Sequence, residues 1–195
     1  MKKKNVIDFF NRCAPWWDDD MIRRDDIINM ILDNGGICEN IDVLDVACGT
    51  GVLFPDYIKR GVASVTGIDI SPEMVKIAKQ KFPQINVICG DVESVKFDRQ
   101  FDAVMVYNAF PHFPNSENLI EVLAGLTKTG GRLSVAHGMS RAELHNHHKN
   151  RASEVSVELI SENKLADIFS KWFDVDVIIS NDNMYQVSGT RKNIL

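Results

Sequence analysis

The chain has 195 residues, 45% of them hydrophobic and 25% charged, with a formal net charge of −5. That size and composition fit one globular domain able to bury most of its apolar surface, and no apolar run reaches the ~18 residues that a membrane-spanning helix needs. With no basic block beyond Lys2–Lys4, nothing provides the electrostatic footprint of a nucleic-acid binder, so a small molecule is the expected substrate. The N-terminus has a basic head, but Asp8 and Arg12 interrupt any signal-peptide core. Cys13, Cys38, Cys48 and Cys89 show no C-x-x-C pairing and read as free thiols of a reducing compartment. A cytoplasmic protein is expected, working as a monomer or homodimer.

Taken in chain order, Val6–Phe10 and Ile22–Leu32 carry apolar residues at helical spacing, separated by Ala14-Pro-Trp-Trp-Asp-Asp-Asp20 and stopped by Asn34-Gly35-Gly36. From Asp42 onward short apolar runs alternate with helical stretches such as Pro72–Lys81 and Glu117–Leu126, the signature of a doubly wound parallel sheet. Ser140 and Glu143 have capping-box spacing. Ser161–Trp172 reads as an amphipathic helix capped by Ser161, and Asp174–Ser180 and Met184–Thr190 read as a hairpin turning at Asn181-Asp-Asn183. One domain accounts for the whole chain, with a helical cap over 1–36 and a binding core over 41–195.

Val43-Leu-Asp-Val-Ala-Cys-Gly-Thr-Gly51 runs from a buried strand into small residues and glycines where a helix should start. Gly49 and Gly51 allow a sharp turn and close backbone approach to a ligand, and the following helix would aim unpaired N–H groups at it. A dinucleotide loop needs a third small residue at the next fixed spacing, but Val52 or Phe54 stands there. That disfavours a nucleotide-dependent oxidoreductase, as does Asp45, which suits a cationic ligand better than a pyrophosphate. A thiol at such a loop, Cys48, is either inert and half buried or activated by the helix terminus.

The loop resembles motif I of the class I S-adenosylmethionine (SAM) dependent methyltransferases, with Ala47 at its first glycine. Further runs follow in the same order: Ser64-Val-Thr-Gly-Ile-Asp-Ile70 before Ser71-Pro72, Asn86–Val92 carrying Asp91, Phe101-Asp-Ala-Val-Met-Val-Tyr-Asn108, and Thr129–Ala136. The chain is similar to small methyltransferases of the ubiquinone and menaquinone biosynthesis group. The resemblance implies a Rossmann-like, seven-stranded sheet, mostly parallel, with one antiparallel strand from the C-terminal hairpin. It also implies SAM as cofactor and S-adenosylhomocysteine (SAH) as product. Asp45, Ala47, Gly49 and Gly51 would hold the cofactor. So would Asp69 on the ribose and Asp91 on the adenine amino group, with Ile70, Val92 and Tyr107 beside them.

Methyl transfer needs a nucleophile held in line behind an activated methyl, with water excluded and, for a protic acceptor, a base. Three segments are placed for that at strand ends. In Tyr107-Asn-Ala-Phe-Pro-His-Phe-Pro114, Tyr107, Asn108 and His112 suit orientation or proton removal, and Phe110 and Phe113 either wall the substrate or pack the loop. In His137–Lys149, His137 is a candidate base or anchor and Arg141 a candidate carboxylate clamp. His145 and His148 have metal-ligand spacing, but nothing completes the set, so no metal is expected. Trp16 and Trp17 either close over the site as a lid or anchor the N-terminal helices, and Asp18–Asp20 reads as a solvated helix start. A non-catalytic SAM- or SAH-binding module, or a partner subunit of a larger enzyme, is the other reading.

Overall fold

The structure is a computed structural model and describes residues 2–19, 22–144 and 154–193. Its strands are β1 (Asp42–Val46), β2 (Ser64–Asp69), β3 (Asn86–Cys89), β4 (Phe101–Tyr107), β5 (Thr127–His137), β6 (Phe173–Ser180) and β7 (Tyr185–Arg191). They form one sheet in the order β3-β2-β1-β4-β5-β7-β6. β1 to β5 pair in parallel, and β7 runs antiparallel to both its neighbours. This is the doubly wound sheet with a C-terminal hairpin that the sequence implied. Strand order reverses between β1 and β4, so a crevice opens where the carboxyl ends of those strands diverge.

The helices are α1 (Lys3–Cys13), α2 (Asp25–Asn34), α3 (Phe54–Lys59), α4 (Pro72–Lys81), α5 (Ser116–Leu126) and α6 (Glu162–Ser170). Adjacent strand residues point to opposite faces. Val43 and Ala103 join one core cluster with Ile28, Ile31, Phe54 and Ala78, whereas Leu44 and Val104 join another with Leu119, Leu123, Leu165 and Phe169. Helices thus cover both faces, which is why the central strands are apolar throughout rather than alternating.

Local chemistry sets the element ends. Ser71 caps α4 by accepting from the Met74 N–H, with Pro72 in the first turn, and Ser161 caps α6 by accepting from Lys164. Ser140 and Glu143 exchange backbone and side-chain hydrogen bonds at 3.2 and 3.0 Å, the capping box expected there. In the hairpin, Asn181 accepts from the N–H groups of Asn183 and Met184.

Three boundaries differ from the sequence reading. α2 starts at Asp25 rather than Ile22, because Arg23 is drawn off to Asp56 and leaves Ile22 exposed. α2 buries Ile27, Ile28, Ile31 and Leu32 in the core, so within 1–36 the segment over the cavity described below is α1 and the turn after it. α3 starts at Phe54 and has six residues, so a turn, closed by the Phe54 N–H on the Gly51 carbonyl at 3.1 Å, separates it from the glycine loop that was expected to run straight into it. β3 ends at Cys89, and Asp91 lies in the loop beyond.

Candidate functional site

After β1 the backbone passes through left-handed conformations at Ala47 (φ 55°), Gly49 (φ 55°) and Gly51 (φ 87°). A Cβ on Gly51 would stand 2.6 Å from the buried ring of Phe54, whereas one on Gly49 would meet only the Trp17 indole nitrogen at 3.8 Å. Ala47 adopts the same region with a side chain, at a cost of roughly 1–2 kcal/mol. The loop is fixed to β2: the Gly49 N–H donates to Asp69 Oδ2 and the Ser71 N–H to Asp69 Oδ1, both at 2.8 Å. Local strain held in place by bonds to a neighbouring strand end is characteristic of ligand sites.

A cavity of about 640 Å³ opens above these strand ends, within the range of small-molecule sites. Ala47, Gly49, Asp69, Ile70, Asp91, Val92, Tyr107 and Asn108 line it from the sheet side. Trp16, Trp17 and the inner face of α1 line it from above, and His112 and Phe113 from the loop after β4. Asn108 has φ 53°, a conformation asparagine tolerates, and its Oδ1 accepts from the Gly138 N–H at 3.0 Å. His112 Nδ1 lies 2.8 Å from the carbonyl oxygen of Val155, so Nδ1 carries the proton and Nε2 is the basic nitrogen of the neutral ring. Burial pushes the His112 pKa below its ordinary value, opposed by that carbonyl, so the ring is neutral near pH 7.

Other expected site residues lie elsewhere. Asp45 is buried beneath the loop and Gly51 turns away, so neither is part of the cavity lining. Burial, with Asp69 nearby and opposed by a hydrogen bond with the Tyr57 hydroxyl, pushes the Asp45 carboxyl up to about 8. Cys48 borders the cavity, but burial raises its thiol pKa well above the ordinary value. Phe110 is a core residue, packed with Leu119 and Ile120, and only Phe113 of that pair reaches the cavity. His137 is fully buried with its ring against Tyr185 at 6.0 Å, outside the lining. Arg141 is taken up by the Leu159 carbonyl at 3.3 Å and by Glu162 at 3.8 Å, so the expected carboxylate clamp does not face the cavity. His145 and His148 lie outside the described residues. Among the described residues no cluster of His, Cys, Asp or Glu has the makings of a metal site.

The sequence reading missed the residues that fasten the cap. Lys3 forms ion pairs with Asp91 and with Glu93 at 2.9 Å. Asn11 Oδ1 accepts from the Ser71 hydroxyl at 2.7 Å and the Glu73 N–H at 3.3 Å. Asp18 accepts from Thr50 at 2.6 Å and pairs with Lys81 at 2.7 Å. Asp18 is therefore a strap rather than a solvated helix start. No local signal distinguishes such residues from surface polar groups, because each partner lies 60 or more positions away or, for Thr50, 32.

The sheet order and the glycine loop are those that the resemblance to class I SAM-dependent methyltransferases implied. Residues 43–131 match the family model described as "Methyltransferase domain", and SAM is the cofactor of that class. A ubiquinone biosynthesis O-methyltransferase of Coxiella burnetii is 38% identical over 96 residues, 47% of this chain and 41% of that protein. A ribosomal protein L11 methyltransferase of Laribacter hongkongensis is 30% identical over 161 residues, 82% of this chain and 47% of that protein. The chain thus spans less than half the length of these curated relatives. In the solved complex of the Haloferax volcanii Trm112 methyltransferase activator with a methyltransferase, the matching chain superposes with a TM-score of 0.79 at 19% identity. That superposition covers 97% of this chain and 99% of the other. Among the described residues no helix is long and apolar enough to cross a membrane.

Proposed function

We propose that the protein transfers a methyl group from SAM to a small-molecule acceptor by direct in-line displacement, releasing SAH. The observation that carries this reading is that one cavity is bordered by the glycine loop with the ends of β2 and β3 and, across from them, by an aromatic cap. The opening at Gly49, where an added Cβ meets nothing closer than 3.8 Å, fits close backbone approach by the cofactor. The carboxylates of Asp69 and Asp91 fit the ribose hydroxyls and the adenine amino group, with Ile70 and Val92 flanking the ring. When bound, the cofactor supplies an activated methyl on a sulfonium.

The chain's own part is binding, orientation and water exclusion. Tyr107 and Asn108 orient the reacting groups, Trp16 and Trp17 close the cavity, and His112 receives a proton on Nε2 where the acceptor carries one. Four free thiols support a reducing, cytoplasmic setting.

Calorimetry with SAM, SAH and NAD on the wild type and on Asp69→Ala tests the reading. Binding of SAM or SAH that Asp69→Ala weakens is the expected result. No binding of either sinks the proposal, and NAD binding redirects it to an oxidoreductase. Tight SAH binding with no background consumption of SAM would favour a non-catalytic module or partner subunit.

A further inference from the structure

We infer that Gly138 is a positioning residue for Tyr107 and Asn108: the missing side chain at 138 lets the Tyr107 hydroxyl sit against the end of β5 beside the Asn108 amide. The inference rests on the methyltransferase reading above, in which Tyr107 and Asn108 orient the reacting groups. Gly138 does not share the left-handed φ of Gly49 and Gly51, so its backbone suits any residue and only a close approach calls for glycine there. That approach comes from one atom. A Cβ on Gly138 would stand 2.5 Å from the Tyr107 hydroxyl oxygen, whereas the next nearest atoms, Cζ and Cε2 of the same ring, lie at 3.5 and 3.7 Å, which is ordinary contact.

Backbone and side-chain bonds make this place a junction between two strand ends. Tyr107 is the last residue of β4 and pairs with Ala136, one residue before β5 ends. The Asn108 N–H then donates to the Ala136 carbonyl at 2.9 Å, and Asn108 Oδ1 accepts from the Gly138 N–H at 3.0 Å. Those two bonds hold Asn108 at its left-handed φ of 53°. Burial raises the Tyr107 pKa, opposed by a hydrogen bond with the Asn108 side chain. Hydroxyl, amide and Gly138 N–H therefore form one connected polar group. On either side of Gly138, His137 is buried against Tyr185 and Met139 borders the cavity. Tyr107 and Asn108 line the cavity and Gly138 does not, so Gly138 acts through them. A side chain at 138 would push the phenol off the amide and loosen the Asn108 turn, and displacements of about 1 Å at a reacting centre are costly.

The test is a double-mutant cycle read by fluorine NMR of fluorotyrosine-labelled protein and by calorimetry with SAH. The chain has three tyrosines, Tyr57, Tyr107 and Tyr185, and Tyr107→Phe assigns the Tyr107 resonance by its disappearance. Gly138→Ala is expected to move that resonance, leave that of Tyr57 in place and weaken SAH binding about three- to tenfold. In the Tyr107→Phe background the hydroxyl is gone and the nearest ring atom stands at 3.5 Å. Adding Gly138→Ala there should cost nothing further in affinity or in Tm. Asn108→Ala leaves position 138 alone and should also move the Tyr107 resonance, which carries the test should Gly138→Ala melt early. An unmoved Tyr107 resonance in the variant that folds overturns the inference. So does an undiminished loss of SAH affinity when Gly138→Ala is added to Tyr107→Phe, or a fall in Tm with SAH affinity unchanged, which would leave Gly138 a packing residue. Absence of SAH binding in the wild type would instead sink the methyltransferase reading, while the resonance shift, read without ligand, still decides whether Gly138 positions Tyr107.

Discussion

The Asp18 carboxylate accepts a 2.6 Å hydrogen bond from the Thr50 hydroxyl, joining the cap to the glycine loop across 32 positions of sequence. Thr50 is buried, so its hydroxyl has little access to water, and Asp18 also holds Lys81. Loss of the acceptor leaves a buried donor unsatisfied, at about 1–3 kcal/mol. Asp18→Ala is therefore expected to free Trp17 from its place over Gly49, shift tryptophan emission to the red and weaken SAH binding about tenfold. Asp18→Asn keeps an acceptor for Thr50 and should retain most of the affinity. Unchanged emission and affinity in Asp18→Ala would show that the strap does not position the cap.

Gly51 tests the loop itself. Its φ of 87° and the Phe54 ring 2.6 Å from where a Cβ would stand leave no room for a side chain, and Phe54 is fully buried and cannot swing away. Gly51→Ala is expected to destabilise the fold by about 1–3 kcal/mol through strain and overpacking, read as a lower Tm, together with weaker SAH binding. Gly49→Ala has the same left-handed φ but open space, so its effect should fall mainly on cofactor affinity. Equal Tm losses in both would refute the distinction.

That contrast marks what was legible in the sequence. The alternation of strands with helices and the glycine loop follow from apolar runs and spacing, which are local and periodic, whereas the seven-stranded sheet was implied by the resemblance alone. The capping box at Ser140 and Glu143 and the cap at Ser161 were legible for the same reason. The roles of His137, Phe110 and Arg141 were not, because position near a strand end does not say which way a side chain faces. His137 turns toward Tyr185, its partner across the β5–β7 ladder, and Arg141 meets Glu162 from an element 21 residues on. Lys3, Asn11 and Asp18 escaped notice because their partners are set by tertiary packing alone.

Lys3 places an ammonium on the carboxylate proposed for the adenine amino group. Asp91 Oδ1 already accepts from the Glu93 N–H at 3.0 Å, so Oδ2, which Lys3 occupies, is the oxygen a cofactor would need. Glu93 offers Lys3 a second partner at 2.9 Å, which keeps the competition mild, and Lys3 is half exposed, so salt screens it. Lys3→Met is expected to bind SAH about two- to fivefold tighter than wild type at low salt. Added salt should strengthen wild-type binding toward that of the variant and leave the variant unchanged. Weaker binding in Lys3→Met would mean that the ion pair holds the cap shut over the cofactor instead of competing with it.

Asp45 carries a pH signature for the whole fold. Its carboxyl titrates near 8 in the folded chain against 3.8 as the ordinary value, chiefly because it is buried. Below the ordinary value both folded and unfolded chains hold the proton, and the group's contribution to stability is fully present. Between that value and about 8 the folded chain keeps a proton that the unfolded chain has lost, so stability falls with rising pH, by up to about 1.4 kcal/mol per unit. Above the folded value the loss is complete. Asp45→Asn stays neutral, and its side-chain amide keeps a hydrogen-bonding group beside the buried Tyr57 hydroxyl that pairs with Asp45. Wild-type Tm is therefore expected to decline from about pH 6 to about pH 9, and that of Asp45→Asn to decline less, leaving the variant the more stable at the alkaline end. Asp69, whose carboxyl burial also raises, supplies the remaining slope. Cys48 and Tyr57, raised well above their ordinary values, stay neutral throughout. Parallel Tm curves for the two proteins would show that Asp45 is ionised at neutral pH in the folded chain.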